Sequence, residues 1–380
     1  MVESFLVYFV LTTFMVYCGI SIAHRAPRYV KYSGRYKEQS FFSGPSVLLF
    51  LSFAFVFGCR WEVGVDYPHY LYRYLTGGGE RHEILFHWVQ LLFVDFGFHF
   101  AFFFAFWAFL DIVGLFYCVK KYKFLFPFLA LMLMLTSLYL SMMNTMRQHA
   151  AIAVFLISLR YIDDKKLFKY CGGILIAFLL HKSAIILIAL YLIFAIRKDW
   201  FKSIKLQLLL YSVCFILQFY FSTVIELIEA PFALLSDSLD YDRYNMDMLL
   251  DDRWSRDKFG RNTGLGVYAN ILRVIPVILY STKMKAYYKS SYFEILYSLW
   301  FIGVLLSFLF GSSIILNRIV MYFTHFSPII YSFFLYYCFR TKKYIDYFVG
   351  CVIILIFVAL FINIVINPVS TAQFSFFWEH

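Results

Sequence analysis

No two cysteines in this sequence are spaced CxxC. The seven that exist stand singly, mostly inside apolar runs. That excludes a dithiol redox motif and a disulfide framework, and leaves them as small core hydrophobes. There is no GxSxG, so no nucleophile elbow. No His, Cys and carboxylate cluster has zinc spacing, so no metal site is expected. His82-Glu83 followed by His87 misses HExxH by one residue, so the two histidines do not fall at i and i+4. Gly77-Gly78-Gly79 lacks the Lys-Ser/Thr that follows a phosphate loop and reads as a turn between two helices. Charge is scarce, at 15% of residues. Ser4–Ile22 lacks a basic leader and is followed by basic rather than small residues, so no cleaved signal is expected.

What is present in abundance is apolar surface. Hydrophobic residues make up 62% of the 380, with 48 Phe and a mean hydropathy of +0.73. A soluble domain is nearer half apolar. The apolar stretches are long and unbroken rather than alternating, which argues membrane helices over an outer-membrane barrel. The expected class is an all-α polytopic integral membrane protein forming one transmembrane domain over 1–380. The net charge of +11 does not point to nucleic acid. Lys and Arg sit in short loops between apolar runs, the mark of cytoplasmic loops.

Taken in order, the basic loops alternate with the apolar runs. Ser4–Ile22 leads to Arg25, Arg28, Lys31, Arg35 and Lys37. Val47–Gly58 then returns outward to a loop at 60–97. Within that loop Glu83–Gly97 is apolar but short and carries Glu83, His87 and Asp95. If it crossed, Lys120, Lys121 and Lys123 would lie outside, so the expectation is a juxtamembrane or re-entrant helix. Further crossings follow at His99–Val119, Phe124–Leu140, Ala150–Ile162, Leu167–Leu180, Ala184–Ile196, Leu206–Ile228, Leu265–Thr282, Phe293–Phe310, Ile319–Phe339 and Ile345–Ile366. Ser141–His149 reads as an outer loop, and 229–264 as one long outer loop. The expected total is about twelve crossings, several shorter than the ~20 residues of a straight span. No internal repeat is evident.

This parity gathers scattered ionisable residues at one face. Cys59 to Tyr70 places Arg60, Asp66, Tyr67 and Tyr70 where an apolar run meets water. Glu83, Arg147-Gln148-His149, His181 and Arg318 fall on the same side. Interfacial tyrosines often serve only as anchors. Outer arginines run against the orientation bias, and a guanidinium is a bidentate partner for phosphate.

The ordered set of motifs resembles the EpsG-like family of Wzy-type polysaccharide polymerases. An apolar run ending in Arg60, then Val63-Gly64-Val65-Asp66-Tyr67, Tyr70 and Glu83, is similar to the family's first signature. Asn144 before Arg147-Gln148 and Ala150-Ala151 is similar to its second. His181 with Ser183 and Ala184-Ile185 is similar to its third, and Asn317-Arg318 with Tyr322-Phe323 to its fourth. Lys182 departs from the pattern, since an aromatic is expected there.

The resemblance implies a GT-C-like glycosyltransferase of the bacterial inner (cytoplasmic) membrane, with its site facing the periplasm or outside. Its substrates would be undecaprenyl-diphosphate-linked oligosaccharides held among membrane lipids. A chain-length regulator is a common partner in such systems, although no motif here would bind one. The leaving diphosphate needs neutralising; Arg60, Arg147 and Arg318 are the candidates, with Arg243 and Arg253 from the long loop. The acceptor hydroxyl needs a base; the order of preference is Asp66, His181, Glu83. Tyr67, Tyr70, Gln148 and Tyr322 are the candidate sugar contacts. No cofactor is expected. The rival readings are a flippase or transporter, a multi-span acyltransferase with His181 as base, and a non-catalytic scaffold. A transporter would place charges near the bilayer midplane in two related halves, whereas here they sit at helix ends.

Overall fold

The computed structural model describes residues 2–25, 40–77, 83–220, 265–311, 313, 316–367 and 372–380. Most of them are helical. In the apolar core of a bilayer a helix satisfies every backbone N–H and C=O internally, and the composition demands nothing else. Five helices are long and apolar enough to cross a membrane: Val2–Arg25, Phe100–Cys118, Ser291–Phe310, Asn317–Arg340 and Tyr344–Ile366. A bent pair, Lys123–Leu135 with Leu138–Asn144, makes a sixth. The chain is a polytopic helical membrane protein. By length, the described residues support five or six crossings, against about twelve expected, because the remaining apolar helices are shorter than the ~20 residues a straight span needs. The long loop at 229–264, with Arg243 and Arg253, lies outside the described residues.

Packing divides the chain into two compact units, Met1–Ala195 with Phe357–His380, and Ile196–Ile356. The first contains α1 (Val2–Arg25), α2 (Gly44–Gly58), α3 (Tyr67–Thr76), α4 (Ile84–Asp95), α5 (Phe100–Cys118), α6 (Phe126–Leu135), α7 (Leu138–Asn144), α8 (Met146–Ser158), α9 (Arg160–Asp163), α10 (Leu167–Leu180) and α11 (Ile188–Phe194). Small residues let α5 approach two neighbours closely. A Cβ on Gly58 would stand 2.6 Å from that of Ala105, and one on Gly114 2.7 Å from that of Ala153.

Three details of this unit set the position of the site. First, α4 is short. Twelve residues reach about 18 Å, well under the ~30 Å hydrocarbon core. It is pinned by Phe86, stacked on Trp107 of α5 at 4.7 Å, and by Gln90 Nε2 donating to the Arg73 carbonyl at 3.1 Å. Second, the expected outer loop at 141–149 is a correction: α7 and α8 meet at Thr145 with almost no loop between them. The break comes earlier, at Thr136-Ser137, where α6 and α7 bend by 65°. Ser137 takes the left-handed backbone there, at φ +58°, which ends the helical register. Third, the chain's last segment returns to the first loop. Two short strands, β1 (Arg60–Trp61) and β2 (Ser375–Phe376), pair antiparallel. Tyr8 donates to the Ala372 carbonyl at 2.9 Å, and His380 stacks on Trp61.

The second unit holds the helices Ile204–Leu217, Leu265–Tyr288, Ser291–Phe310, Asn317–Thr324 and Phe326–Arg340, and the start of Tyr344–Ile366. Several of its buried polar groups are paired with one another, as an apolar surrounding favours. Tyr297 donates to Gln207 Oε1 at 2.6 Å, Gln207 Nε2 to Ser281 at 3.2 Å, and Tyr280 to Asp346 at 2.8 Å. Lys285 lies 2.6 Å from Asp199. All seven cysteines of the chain are free thiols, five of them buried.

Candidate active site

Glu83 caps the start of α4 with an extended backbone, φ −57° and ψ +141°. Its side chain is thereby turned to α8 and α10 instead of joining its own helix. Oε2 accepts from Arg147 Nη1 at 2.6 Å, and Oε1 meets His181 Nδ1 at 2.6 Å. Arg147 is in the first turn of α8. His181 ends α10, its backbone swung out to φ −160°. Three helix ends therefore present a guanidinium, a carboxylate and an imidazole as one connected group. Glu83 and His181 are largely shielded, with side-chain exposures of 10% and 6%, while Arg147 keeps 27%.

The electrostatics follow from this geometry. Burial alone pushes the Glu83 carboxyl up; the hydrogen bond from His181 and the charge of Arg147 outweigh it and hold the group at about 2. Glu83 is thus ionised and can only accept. His181 must then carry a proton on Nδ1, which in the neutral imidazole leaves Nε2 as the basic nitrogen. Arg147 loses some of its charge preference to burial, but Tyr70 and Glu83 more than restore it. The Tyr70 hydroxyl hydrogen-bonds this guanidinium, and its own acidity is reduced chiefly by burial.

The stretch from Cys59 to Tyr70 wraps onto the α7–α8 junction. Gly64 takes φ +102°, where its hydrogen faces the Met143 carbonyl and Asn144. Glycine adopts that backbone without strain. The next turn is fixed by the Asp66 N–H donating to Asn144 Oδ1 at 2.9 Å. Asp66 then opens α3, which carries Tyr67, His69 and Tyr70. The charge of Asp66 is felt at both His69 and Tyr70. At His69 burial, then the charges of Arg73 and Arg147, lower the imidazole's affinity for a second proton more than Asp66 raises it.

A sequence profile of the EpsG family matches residues 45–377. The chain belongs to the EpsG family. No curated protein and no solved structure matches it. Membership supports a polymerase-like role in polysaccharide biosynthesis at a membrane.

In this EpsG-family chain the expected site residues fall into four groups. Glu83, Arg147, His181 and Tyr70 meet directly, and Asp66 stands one turn of α3 from Tyr70. Arg60 is elsewhere: it is 1% exposed, and donates to the carbonyls of Phe57 at 2.5 Å, Val63 at 3.2 Å and Met143 at 3.2 Å. Its guanidinium lies over Phe104 at 4.7 Å and Tyr67 at 5.4 Å. Tyr67 and Gln148 are buried too, at 0% and 2%. Arg318 and the buried Tyr322 belong to the second unit, on the helix Asn317–Thr324. Arg243 and Arg253 lie outside the described residues. His149 is not part of the Glu83 group; its Nε2 contacts Ser141 Oγ at 3.0 Å. Among the described residues no group of three or more His, Cys, Asp or Glu is placed to hold a metal ion.

Sequence reasoning missed two residues here. Asn144 was visible as part of a motif, but nothing in one dimension pairs it with the Asp66 amide. Asp111 stands alone in the apolar run of α5, and a lone carboxylate in a span was the signal to follow.

Proposed function

We propose that this chain is a membrane glycosyltransferase of the Wzy polymerase type. It moves a glycan from undecaprenyl diphosphate onto a hydroxyl of a second lipid-linked repeat unit, at the outer face of the bacterial cytoplasmic membrane. The proposal includes a GT-C-like scaffold of about twelve crossings, in which short helices complete the set, and outer loops at 60–97 and 229–264. One observation carries it: a single carboxylate, Glu83, holds both a cation suited to phosphate and an imidazole suited to take a proton.

The acceptor oxygen bonds to the anomeric carbon of the donor while the bond from that carbon to the diphosphate oxygen breaks. The electron pair departs with the diphosphate, and the developing charge is met by Arg147, the most exposed member of the group. Charge that builds in the transition state is where fixed cations act most strongly. The hydroxyl proton passes to His181 Nε2. Glu83 positions both partners, much as a buried carboxylate orients the histidine of a triad. Direct displacement inverts the anomeric centre. This reading moves His181 ahead of Asp66 as base, because Glu83 fixes the tautomer of His181; Asp66 remains the second candidate. Tyr70 orients Arg147. Gln148 is kept as a sugar contact. Arg60 and Tyr67 hold the loop that carries Asp66.

The deciding experiment is reconstitution of the full-length chain with a lipid-linked repeat unit. Ladders of increasing length support the polymerase; unchanged lipid would point to a transporter or scaffold. In the same assay His181→Ala and Asp66→Asn separate the two bases. Ladders that persist in the first and vanish in the second would overturn the assignment of His181.

A further inference from the structure

Asp111 lies in the middle of α5, 3% exposed, and the mechanism above does not use it. An ionisable residue inside a span is costly, so it calls for a partner. Arg60 and Asp111 are the two charged residue types that line one small cavity. The two do not touch as an ion pair. This small, partly open cavity is lined by Arg60, Trp107, Asp111, Met142, Met143 and Met146, among others, and has a volume of about 10 Å³. Two of the buried polar atoms on its wall, Asp111 Oδ1 and Trp107 Nε1, have no hydrogen-bond partner among the described residues. A buried polar atom left unsatisfied costs about 1–3 kcal/mol.

We propose that this cavity holds one structural water, which links Asp111 to Arg60 and Trp107 and makes Asp111 the buried polar partner that keeps Arg60 in place. Size and chemistry both fit. About 10 Å³ is close to the smallest space that admits a single water, which needs two to four polar partners. The Asp111 carboxyl oxygen accepts, the Trp107 N–H donates, and the Arg60 guanidinium supplies a further donor. Phe53, Phe104, Ala108 and three methionines close the remaining walls; the Met146 sulfur, a weak acceptor, already takes a contact from Arg60 Nη2 at 3.6 Å. The consequence reaches the candidate site. Arg60 ties together Phe57, Val63 and Met143, the two sides between which the Asp66 loop is clamped. Asp111 is therefore a positioning residue for that loop, acting through the water and Arg60.

The inference stands apart from the glycosyltransferase reading, and its test uses no activity. Full-length protein in detergent is exposed to X-ray-generated hydroxyl radicals, and oxidation of individual methionines is followed by mass spectrometry. A trapped water generates radicals where it sits, so Met143 and Met146, 3% and 2% exposed, should oxidise several-fold faster than Met132 and Met134, which are fully buried and do not line the cavity. Asp111→Asn keeps a partner for the water and should preserve this difference; Asp111→Leu should abolish it. Equal, slow oxidation at all four methionines in the unmodified protein would overturn the water. The partnership with Arg60 is read from thermal unfolding of Arg60→Met, Asp111→Leu and the double variant. If Asp111 serves Arg60, the double variant is no less stable than Arg60→Met alone. Additive losses would overturn that role, whatever the footprinting shows.

Discussion

Glu83 and His181 are 98 residues apart in the chain, yet Oε1 of the first lies 2.6 Å from Nδ1 of the second. The contact joins the start of a twelve-residue helix to the end of a fourteen-residue one. The same carboxylate reaches Arg147 with its other oxygen. A carboxylate so engaged is a poor base and a good holder of two other groups.

Glu83→Gln keeps the shape but removes the charge that holds Arg147 and fixes the His181 tautomer. Polymer formation should fall by about 10²–10³-fold, the usual worth of an oriented base or a charged donor. Gel analysis of cell-surface polysaccharide measures it. Chains of normal length and amount would remove Glu83 from the mechanism.

Arg147→Ala should leave mainly single repeat units. Arg147→Lys should retain only partial chain growth, because an ammonium replaces the charge but not the planar fork that engages Glu83 and Tyr70 together. The two variants are compared in one complementation assay. Equal, undiminished ladders would dispose of the diphosphate role.

The acid limb of stability has a defined sign. Glu83 is held at about 2 in the folded protein, against an ordinary 4.5. A depressed carboxyl stabilises the fold above its ordinary value, and that stabilisation is lost as pH falls toward the folded value. The difference in thermal unfolding between the parent and Glu83→Gln should be constant above about 4.5 and shrink below it, toward about 2. A difference that grew on acidification would contradict the pairing.

Gly64→Ala forces a side chain onto φ +102° against the Met143 carbonyl. Strain of this kind costs on the order of 1–3 kcal/mol. The variant should unfold at lower temperature and polymerise less, and Asn144→Ala should show the same direction by releasing the Asp66 amide. Unfolding temperatures equal to the parent's in both would show that the loop is not clamped there.

The outward orientation is tested at Ser183. In a Ser183→Cys variant lacking the native cysteines, a membrane-impermeant maleimide should label intact cells lacking an outer barrier. Labelling only after the membrane is opened would place His181 on the cytoplasmic side and end the proposed reaction with lipid-linked substrate outside.

Much of this was legible in one dimension. Apolar runs marked nearly every helix, because in lipid a run of that composition has no other way to satisfy its backbone; Leu167–Leu180 agrees to the residue. The apolar stretch at 83–97 was legible as a short helix, and Ile84–Asp95 is one. Asp66, Glu83, Arg147 and His181 could be singled out as polar groups at apolar ends. The roles of those groups were another matter, since spacing along a chain does not say which side chains meet. Arg60 looked like a phosphate ligand and is buried under three backbone carbonyls. Ser141–His149 looked like a loop and is the junction of two helices, because its polar residues bond inward. The sequence alone settled membrane residence, helical class and family, since those depend on composition, period and ordered motifs. Only the tertiary structure decided that Glu83 would be the hub joining Arg147 to His181, that Asn144 would fix Asp66, and that Asp111 would face Arg60, because each is a contact between distant segments that packing alone brings within bonding range.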